Sequence, residues 1–359
     1  MIGTTPLSPP RDGGAVVRAG VHSVLDEFLG RQLDAAGRAE WRDAVEAIRD
    51  LALAGGKRTR PTFCWLGWRS YGGSPEPGVI RAAAALELFH AFALIHDDVM
   101  DDSDTRRGRP ALHVGLARLH RRRGWRGSAT RFGRNTAVLC GDLCLVWSDE
   151  LFHSCGLPPR RVRRALELLH RMRAEVLLGQ YLDLVGGVSP AGLAACRTIL
   201  LYKSARYTVE RPLQIGAALA GADAAHLATL SAYGVPLGEA FQLRDDLLGV
   251  FGDDAVTGKP TTTDLRDGKS TVLMALAREH ADGAQRAVLD RWHGAADLDA
   301  AAAARLRAIA VETGALRRVE AMIAARTEQA VGALDDAGLD PAVYRDLVDL
   351  AHRLSTRTR

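Results

Sequence analysis

Five aspartates fall within eight residues, Asp97, Asp98, Asp101, Asp102 and Asp104, directly after an apolar run and just ahead of Arg106 and Arg107. At ~100° per residue, Asp97 and Asp101 come within roughly 40° of each other on a helix, with Asp98 beside them. Carboxylates crowded in this way repel one another unless a cation lies between them. A hard divalent metal suits such an all-oxygen set, and the arginines suggest that it arrives with an anion. The competing account is an acidic helix end open to water. A second acidic pair, Asp245 and Asp246, follows another amphipathic run (Leu237, Phe241, Leu243) and stands beside Gln242. Two such helices suggest carboxylates converging across a cavity. Magnesium takes one or two protein carboxylates plus substrate phosphates, so two sparse clusters fit a metal–diphosphate site better than a metal cage. Zinc is disfavoured, because no His/Cys ligand spacing exists, and the EF-hand loop pattern is absent.

The cations are unevenly chosen. Of 47 lysines and arginines, only Lys57, Lys203, Lys259 and Lys269 are lysine. An ammonium is a compact point charge and a guanidinium a planar fork, so the two are not interchangeable at a site. Lysine kept at four places therefore marks candidate anion contacts. Lys57 and Arg60 follow Gly55-Gly56 at the start of a helix, where free backbone amides add to their charge. His90 lies two turns ahead of Asp97 on nearly the same face, a candidate substrate contact against the alternative of a packed core histidine. Residues 118–134, RLHRRRGWRGSATRFGR, interleave arginine with Trp125 and Phe132. In a chain of net charge +4 this stretch reads as a solvated connector, and no nucleic-acid partner is expected.

The elements that must position these residues read as helices. Apolar residues make up 47% of the 359 and charged residues 25%, as in a globular protein, and alanine, leucine and arginine abound. Helical text covers residues 15–54, then 63–71 after the Gly-Gly break, then 79 onward into the aspartates. It resumes over 136–155 and 159–184, with a cap at Ser189-Pro190 starting a helix that carries Lys203, Ser204 and Tyr207 before Pro212. A further helix spans 224–250, and alanine-rich helices fill 271–354. No strand alternation and no repeat is found. The expectation is an all-α, single-domain protein: residues 1–14 a flexible leader, 15–359 one large helical bundle around a central cavity. The apolar run at 82–95, interrupted by Glu87 and His90, reads as too short to span a membrane. Five cysteines without CxxC spacing, and a start without an apolar signal segment, point to reduced thiols and a cytoplasmic protein.

Taken together, these motifs resemble those of the trans-isoprenyl diphosphate synthases (polyprenyl synthetases), bacterial geranylgeranyl diphosphate synthases most of all. The first aspartate-rich motif stands as Asp97-Asp98-Val99-Met100-Asp101 followed by Arg106-Arg107-Gly108, the GGKRxRP box as residues 55–61, and the second motif as Phe241-Gln242-Leu243-Arg244-Asp245-Asp246. A loop carries Gly258-Lys259 and Gly268-Lys269. All four lysines fall on motif positions. The resemblance implies an isoprenoid-synthase fold, a homodimer and a head-to-tail prenyl transfer between isopentenyl diphosphate and an allylic diphosphate. It implies three Mg2+ ions per site, with Mn2+ as a substitute, held by Asp97, Asp101 and Asp245 with Asp98 and Asp246 in support. Arg106, Lys203 and Lys259 would bind the allylic diphosphate, and Lys57, Arg60, His90 and Arg107 the isopentenyl diphosphate. Lys269 would close the mouth, while Gln242, Ser204 and Tyr207 would face the allylic cation. One departure stands out: Gly249 occupies the place of the motif's usual third aspartate, and Asp253 and Asp254 do not restore the spacing.

In this family product length is set by side chains on the helix below the first aspartates. Phe92 lies about 7.5 Å and Phe89 about 12 Å down the axis from Asp97, with Ala93 beside them. Ala93 leaves room beyond ten carbons and the phenylalanines form a floor, which implies geranylgeranyl diphosphate, with farnesyl diphosphate second. A class I terpene cyclase and a catalytically silent partner subunit are the remaining alternatives.

Overall fold

Apolar side chains recur at helical spacing along most of the chain. The computed structural model, which describes residues 13–106, 108–188, 192–252 and 261–357, folds them into helices. Extended pairing among the described residues is confined to a ladder of two residues on each side, β1 (Thr105–Arg106) with β2 (Arg109–Pro110), antiparallel and with Thr105 opposite Pro110. The all-α expectation holds. The described residues divide into two compact units, the first within 1–65, 75–99 and 112–156, the second within 66–74, 100–111 and 157–359.

In the first unit, residues 15–54 are two helices rather than one: α1 (Gly13–Ala35) and α2 (Ala39–Leu53). No proline marks the break at Ala36-Gly37-Arg38, and Arg42 closes it by donating to the Leu33 carbonyl at 3.0 Å. After α3 (Thr59–Ser70) comes α4 (Pro77–Met100), on which every residue from Ala82 to Phe89 is buried. Burying Glu87 there is possible because Arg58, also buried, donates to it at 2.6 Å; neither charge is left unpaired. With its charge absorbed, the apolar run does not end at Glu87. The 24-residue helix is, by length and composition, able to cross a membrane, contrary to the shorter reading. Its most apolar window is 72% buried inside the protein, so it is a core helix.

The basic connector is also more ordered than its text suggests. Helix α5 (Leu112–Arg122) extends into it, and α6 (Ala129–His153) begins well before residue 136, capped by Ser128, whose hydroxyl accepts from the Arg131 amide. Trp125 and Phe132 pack on each other, 5.1 Å between centroids, and on His120.

The second unit is arranged around a helix that changes pitch. Helix α7 (Pro159–Val188) runs past residue 184, where its helical text ends, and on through Gly186 and Gly187. Helix α8 (Leu193–Ile199) passes into a π-helical stretch, Leu200–Glu210, and then into α9 (Arg211–Ala220), so Pro212 starts a helical segment instead of stopping one. Glycines let neighbouring backbones come close to that stretch. A Cβ at Gly179 of α7 would lie 2.5 Å from the Lys203 amide nitrogen. On α10 (Ala224–Phe251), a Cβ at Gly238 would lie 2.5 Å from the Ala205 Cα. Side chains finish the clamp: Glu175 accepts from both Arg206 and Arg211 at 2.8 Å. Against the burial that would raise it, those two guanidinium groups hold Glu175 below the usual carboxylate range.

Beyond α10 follow α11 (Thr263–Arg266), α12 (Val272–His280), α13 (Gly283–Trp292), α14 (Ala300–Glu312), α15 (Ala315–Gly332) and α16 (Pro341–Thr356). Leu243, Leu247 and Val250, on one stripe of α10, share a core with Leu265, Leu273 and Leu306. Each such side chain contributes about 1.5–3 kcal/mol by burial and fixes the rotation of α10. All five cysteines are free and buried. Burial pushes Cys64 and Cys140 up to about 12 and Cys196 to about 11, so they act as small apolar side chains, as their spacing suggested.

Candidate active site

Helix α4 delivers the first aspartates at its C-terminal end. Asp97 is half-buried and Asp98 only 3% exposed, both on the last turn. The helix ends at Met100, so Asp101 lies in the following turn rather than on the same helical face. Asp102 takes a left-handed φ of 52°, which reverses the chain into the β1–β2 hairpin and places Arg106 on it, half-buried. Asp97 and Asp98 belong to the first unit, and Asp101 and Arg106 to the second.

Below Asp97 on α4, Phe89 and Phe92 stack with ring centroids 5.2 Å apart, and Ala93 is half-buried beside them. Sequence reasoning missed a third ring. His96 lies 4.6 Å from Phe92 and its Nε2 is 3.1 Å from the Val138 carbonyl oxygen. That seat exists because residue 141 is glycine, where a Cβ would fall 2.2 Å from the imidazole. The GGKRxRP box forms the expected turn into a helix: Gly55, Gly56 and Arg58 have φ of 86°, 128° and 47°, and α3 starts at Thr59. Arg58 is pinned by Glu87 and by the Ala52 carbonyl, while Lys57 is exposed and Arg60 half-buried. His90 is half-buried on α4.

In the second unit, Lys203 and Ser204 are half-buried and Tyr207 is buried on the π-helical stretch. Lys203 donates to Asp183 of α7 at 2.6 Å, a partner the sequence reading did not name. Helix α10 carries Gln242, Asp245 and Asp246. The Gln242 amide nitrogen donates to Asp246 at 2.7 Å, one turn on. Burial, with the neighbouring Asp245 and Asp264 carboxylates, pushes Asp246 up to about 8. A carboxyl raised so far marks a place short of positive charge. Asp245 is exposed and accepts from Arg357 at 2.6 Å, and Arg357 also lies over the Phe241 ring at 4.2 Å. Lys269 pairs with Asp264 at 3.2 Å. Arg357 and Asp264 left no motif signal strong enough to be read, although Asp264 stands beside a motif lysine. Arg107, Lys259, Asp253 and Asp254 lie outside the described residues.

The donors are carboxylates, the ligand class magnesium prefers. Among the described residues no three His, Cys, Asp or Glu side chains gather tightly enough to hold a metal alone.

Residues 43–309 match the family model described as Polyprenyl synthetase. The chain belongs to the polyprenyl synthetase family. Its fold superposes on the crystal structure of a geranylgeranyl pyrophosphate synthase from Corynebacterium glutamicum complexed with isoprenyl diphosphate and magnesium. The TM-score is 0.92 at 36% identity, over 95% of this chain and 98% of that one. It is 32% identical to the geranylfarnesyl diphosphate synthase of Aeropyrum pernix, across 84% of this chain and 89% of that protein. It is equally 32% identical to the (2E,6E)-farnesyl diphosphate synthase of Mycobacterium tuberculosis, across 84% of this chain and 80% of that one. The fold is that of isoprenoid synthases, and this polyprenyl synthetase is a short-chain trans-prenyl diphosphate synthase of the geranylgeranyl/farnesyl type. A terpene cyclase and a silent partner subunit are thereby set aside.

Proposed function

We propose that this enzyme condenses isopentenyl diphosphate head-to-tail with dimethylallyl, geranyl or farnesyl diphosphate and releases mainly geranylgeranyl diphosphate. The observation that carries the product is the Phe89–Phe92 pair, stacked at 5.2 Å on α4 beneath Asp97 with the small Ala93 alongside. An aromatic floor about two turns below the first aspartate suits a chain longer than ten carbons. The farnesyl product is the second reading, favoured by the Mycobacterium relative.

Asp97, Asp101 and Asp245 hold Mg2+, three ions per site and replaceable by Mn2+, with Asp98 and Asp246 in support. The burial of Asp98 and the Gln242–Asp246 hydrogen bond agree with that division. Bound there, magnesium supplies positive charge for the departing diphosphate. Arg106, Lys203 and Lys259 hold the allylic diphosphate, and ionisation of its C–O bond is favoured because fixed cations meet the charge that develops on the leaving oxygen. Lys57, Arg60, His90 and Arg107 orient the isopentenyl diphosphate, and Lys269 closes the mouth over both. Gln242 commits its amide nitrogen to Asp246, which turns the amide's oxygen end into a dipole for the allylic cation, alongside Ser204 and Tyr207. The diphosphate released in the first step takes the final proton.

We further propose a single catalytic domain from residue 15 onward, a cytoplasmic location and a homodimer. The exposed apolar stripe of α6 (Leu139, 62% exposed, and Val146, 59%) and that of α7 (Leu177, Tyr181, Leu184) support the dimer. Incubating the purified protein with isopentenyl diphosphate, each allylic diphosphate and Mg2+, followed by product chromatography, tests the reading; no condensation with any primer sinks it. Phe92→Ala is expected to lengthen the product by at least one five-carbon unit. An unchanged length removes Phe92 as the floor.

A further inference from the structure

The π-helical stretch Leu200–Glu210 carries Lys203, Ser204 and Tyr207. Its wide turns are rarely stable by themselves over such a length, so its neighbours must hold it. Six side chains close a ring around its far end, beginning with Glu175 of α7, which accepts from Arg206 and Arg211 at 2.8 Å. Arg211 donates to Gln214 at 2.6 Å, Gln214 to the Ser231 hydroxyl at 2.8 Å, and Ser231 to Glu210 at 2.7 Å. An ion pair between Glu210 and Arg206, 3.5 Å apart, completes the circuit. Glu210, Arg211 and Gln214 are buried, and the acidic and basic members of the ring balance in charge. We infer that Glu175 is a positioning residue for prenyl transfer: through this ring it fixes the rotation of the π-helical stretch, and with it the place of Lys203 against the allylic diphosphate. The inference rests on the reading of Lys203 as a contact of that diphosphate.

The two flanking helices repeat one arrangement: a polar anchor in the ring, then glycine, then a residue at the site end. On α7, Glu175, Gly179 and Asp183 follow at four-residue spacing and share a face. Gly179 admits the Lys203 backbone, a Cβ there lying 2.5 Å from the Lys203 amide nitrogen, and Asp183 accepts from the Lys203 ammonium at 2.6 Å. On α10, Ser231 and Gln242 are eleven residues apart, about three full turns, and again share a face. Between them, a Cβ at Gly234 would lie 2.8 Å from the Glu210 Cα, and one at Gly238 would lie 2.5 Å from the Ala205 Cα. The stretch is therefore seated along its length. Arg206 stands next to Tyr207 and three residues from Lys203, and its guanidinium lies over the Tyr202 ring at 5.0 Å. A buried ionic ring adds little net stability over apolar side chains of the same size, because desolvation offsets the attraction. What it does is select one arrangement, since its members are satisfied together only when α7, the π-helical stretch, α9 and α10 stand in a single register. Glu175 is the member that both guanidinium groups share, so its charge loosens both when removed.

The test compares Michaelis constants for the two substrates in the full chain with Mg2+ and geranyl diphosphate as primer, alongside melting temperatures. Glu175→Gln keeps size and removes charge, and is expected to raise KM for geranyl diphosphate about tenfold. KM for isopentenyl diphosphate is expected to stay within about twofold of the parent, because Lys57, Arg60 and His90 belong to the other unit. Glu175→Asp keeps the charge and is expected to bring KM for geranyl diphosphate back to within about threefold of the parent. Ser231→Ala opens the ring from α10 by a small uncharged change and is expected to raise the same constant about threefold. A lowered melting temperature with both Michaelis constants at parental values overturns the proposal, by assigning Glu175 to stability alone. An equal rise in both constants overturns it too, as does Glu175→Asp performing no better than Glu175→Gln. Where Glu175→Gln does not fold, Ser231→Ala decides by the same criterion, and a parental KM for geranyl diphosphate overturns the proposal. Lys203→Ala tests the underlying assignment: an unchanged KM for geranyl diphosphate in that variant means that the reading of Lys203 has failed, and the inference with it.

Discussion

The two aspartate clusters of this synthase are built differently. The first is contiguous: Asp97 and Asp98 end α4, and Asp101 follows in the next turn. The second is assembled: Asp245 and Asp246 lie on the last two turns of α10, Asp264 approaches Gly249 from α11, and Arg357 reaches Asp245 from just beyond α16. A contiguous cluster is exposed to single substitutions and legible as text. An assembled one depends on the ties that bring its parts together, and spacing along the chain undercounts it.

The largest effect expected falls on the support of the first region. Glu87→Ala leaves Arg58 charged and buried without its partner, and urea denaturation should record a loss of about 3–5 kcal/mol. A loss below about 1 kcal/mol would mean that the pair is dispensable. Next in size, Asp101→Ala should lower kcat/KM by about 10²–10³-fold. Asp245→Ala should cost roughly tenfold less, because Asp246 and Asp264 keep that end of α10 negatively charged; steady-state kinetics showing equal losses would break the comparison.

The assembled cluster also has a pH-dependent tie. Burial, with Arg278 nearby, holds His293 down to about 4, and a backbone hydrogen bond joins it to Lys269. Because the folded value lies below the unfolded ~6.5, this neutral imidazole contributes its full stability above pH ~6.5 and loses it as pH falls toward about 4. The loss amounts to at most about 3 kcal/mol. Unfolding free energies at the two ends of that window should fall more steeply in the parent than in His293→Gln. The smallest effect is at Arg357. Arg357→Ala removes a competing cation from Asp245 and should tighten magnesium a few-fold, about 1 kcal/mol, in a calorimetric titration of MgCl2 with saturating inorganic diphosphate.

Much of this was legible in the sequence. The helices, the Gly55-Gly56 turn into α3, the buried thiols and both aspartate pairs follow from spacing and residue type. What escaped depended on partners remote in sequence. Glu87 reads as an interruption until Arg58 is seen to neutralise it, and Gly186-Gly187 read as an end although α7 continues through them. Gly249 reads as a gap, because nothing in the local text says that the Asp264 side chain of α11 packs against it. His96 carries no signal of its own in the text, and only Gly141, remote in sequence, seats it as a third ring beside Phe92.

The π-helical stretch at Leu200–Glu210 has a consequence for how this chain can vary. Lys203 and Tyr207 sit within it, and the Glu175–Arg211 contact fixes its far end. Removing a single residue there would let part of the segment relax to ordinary α pitch and shift the faces on which Lys203 and Tyr207 stand within it. The side-chain alphabet of the stretch can drift under selection, but its count cannot. An engineer swapping segments among relatives should match the number of residues between Gly179 and Arg211 before matching their identities.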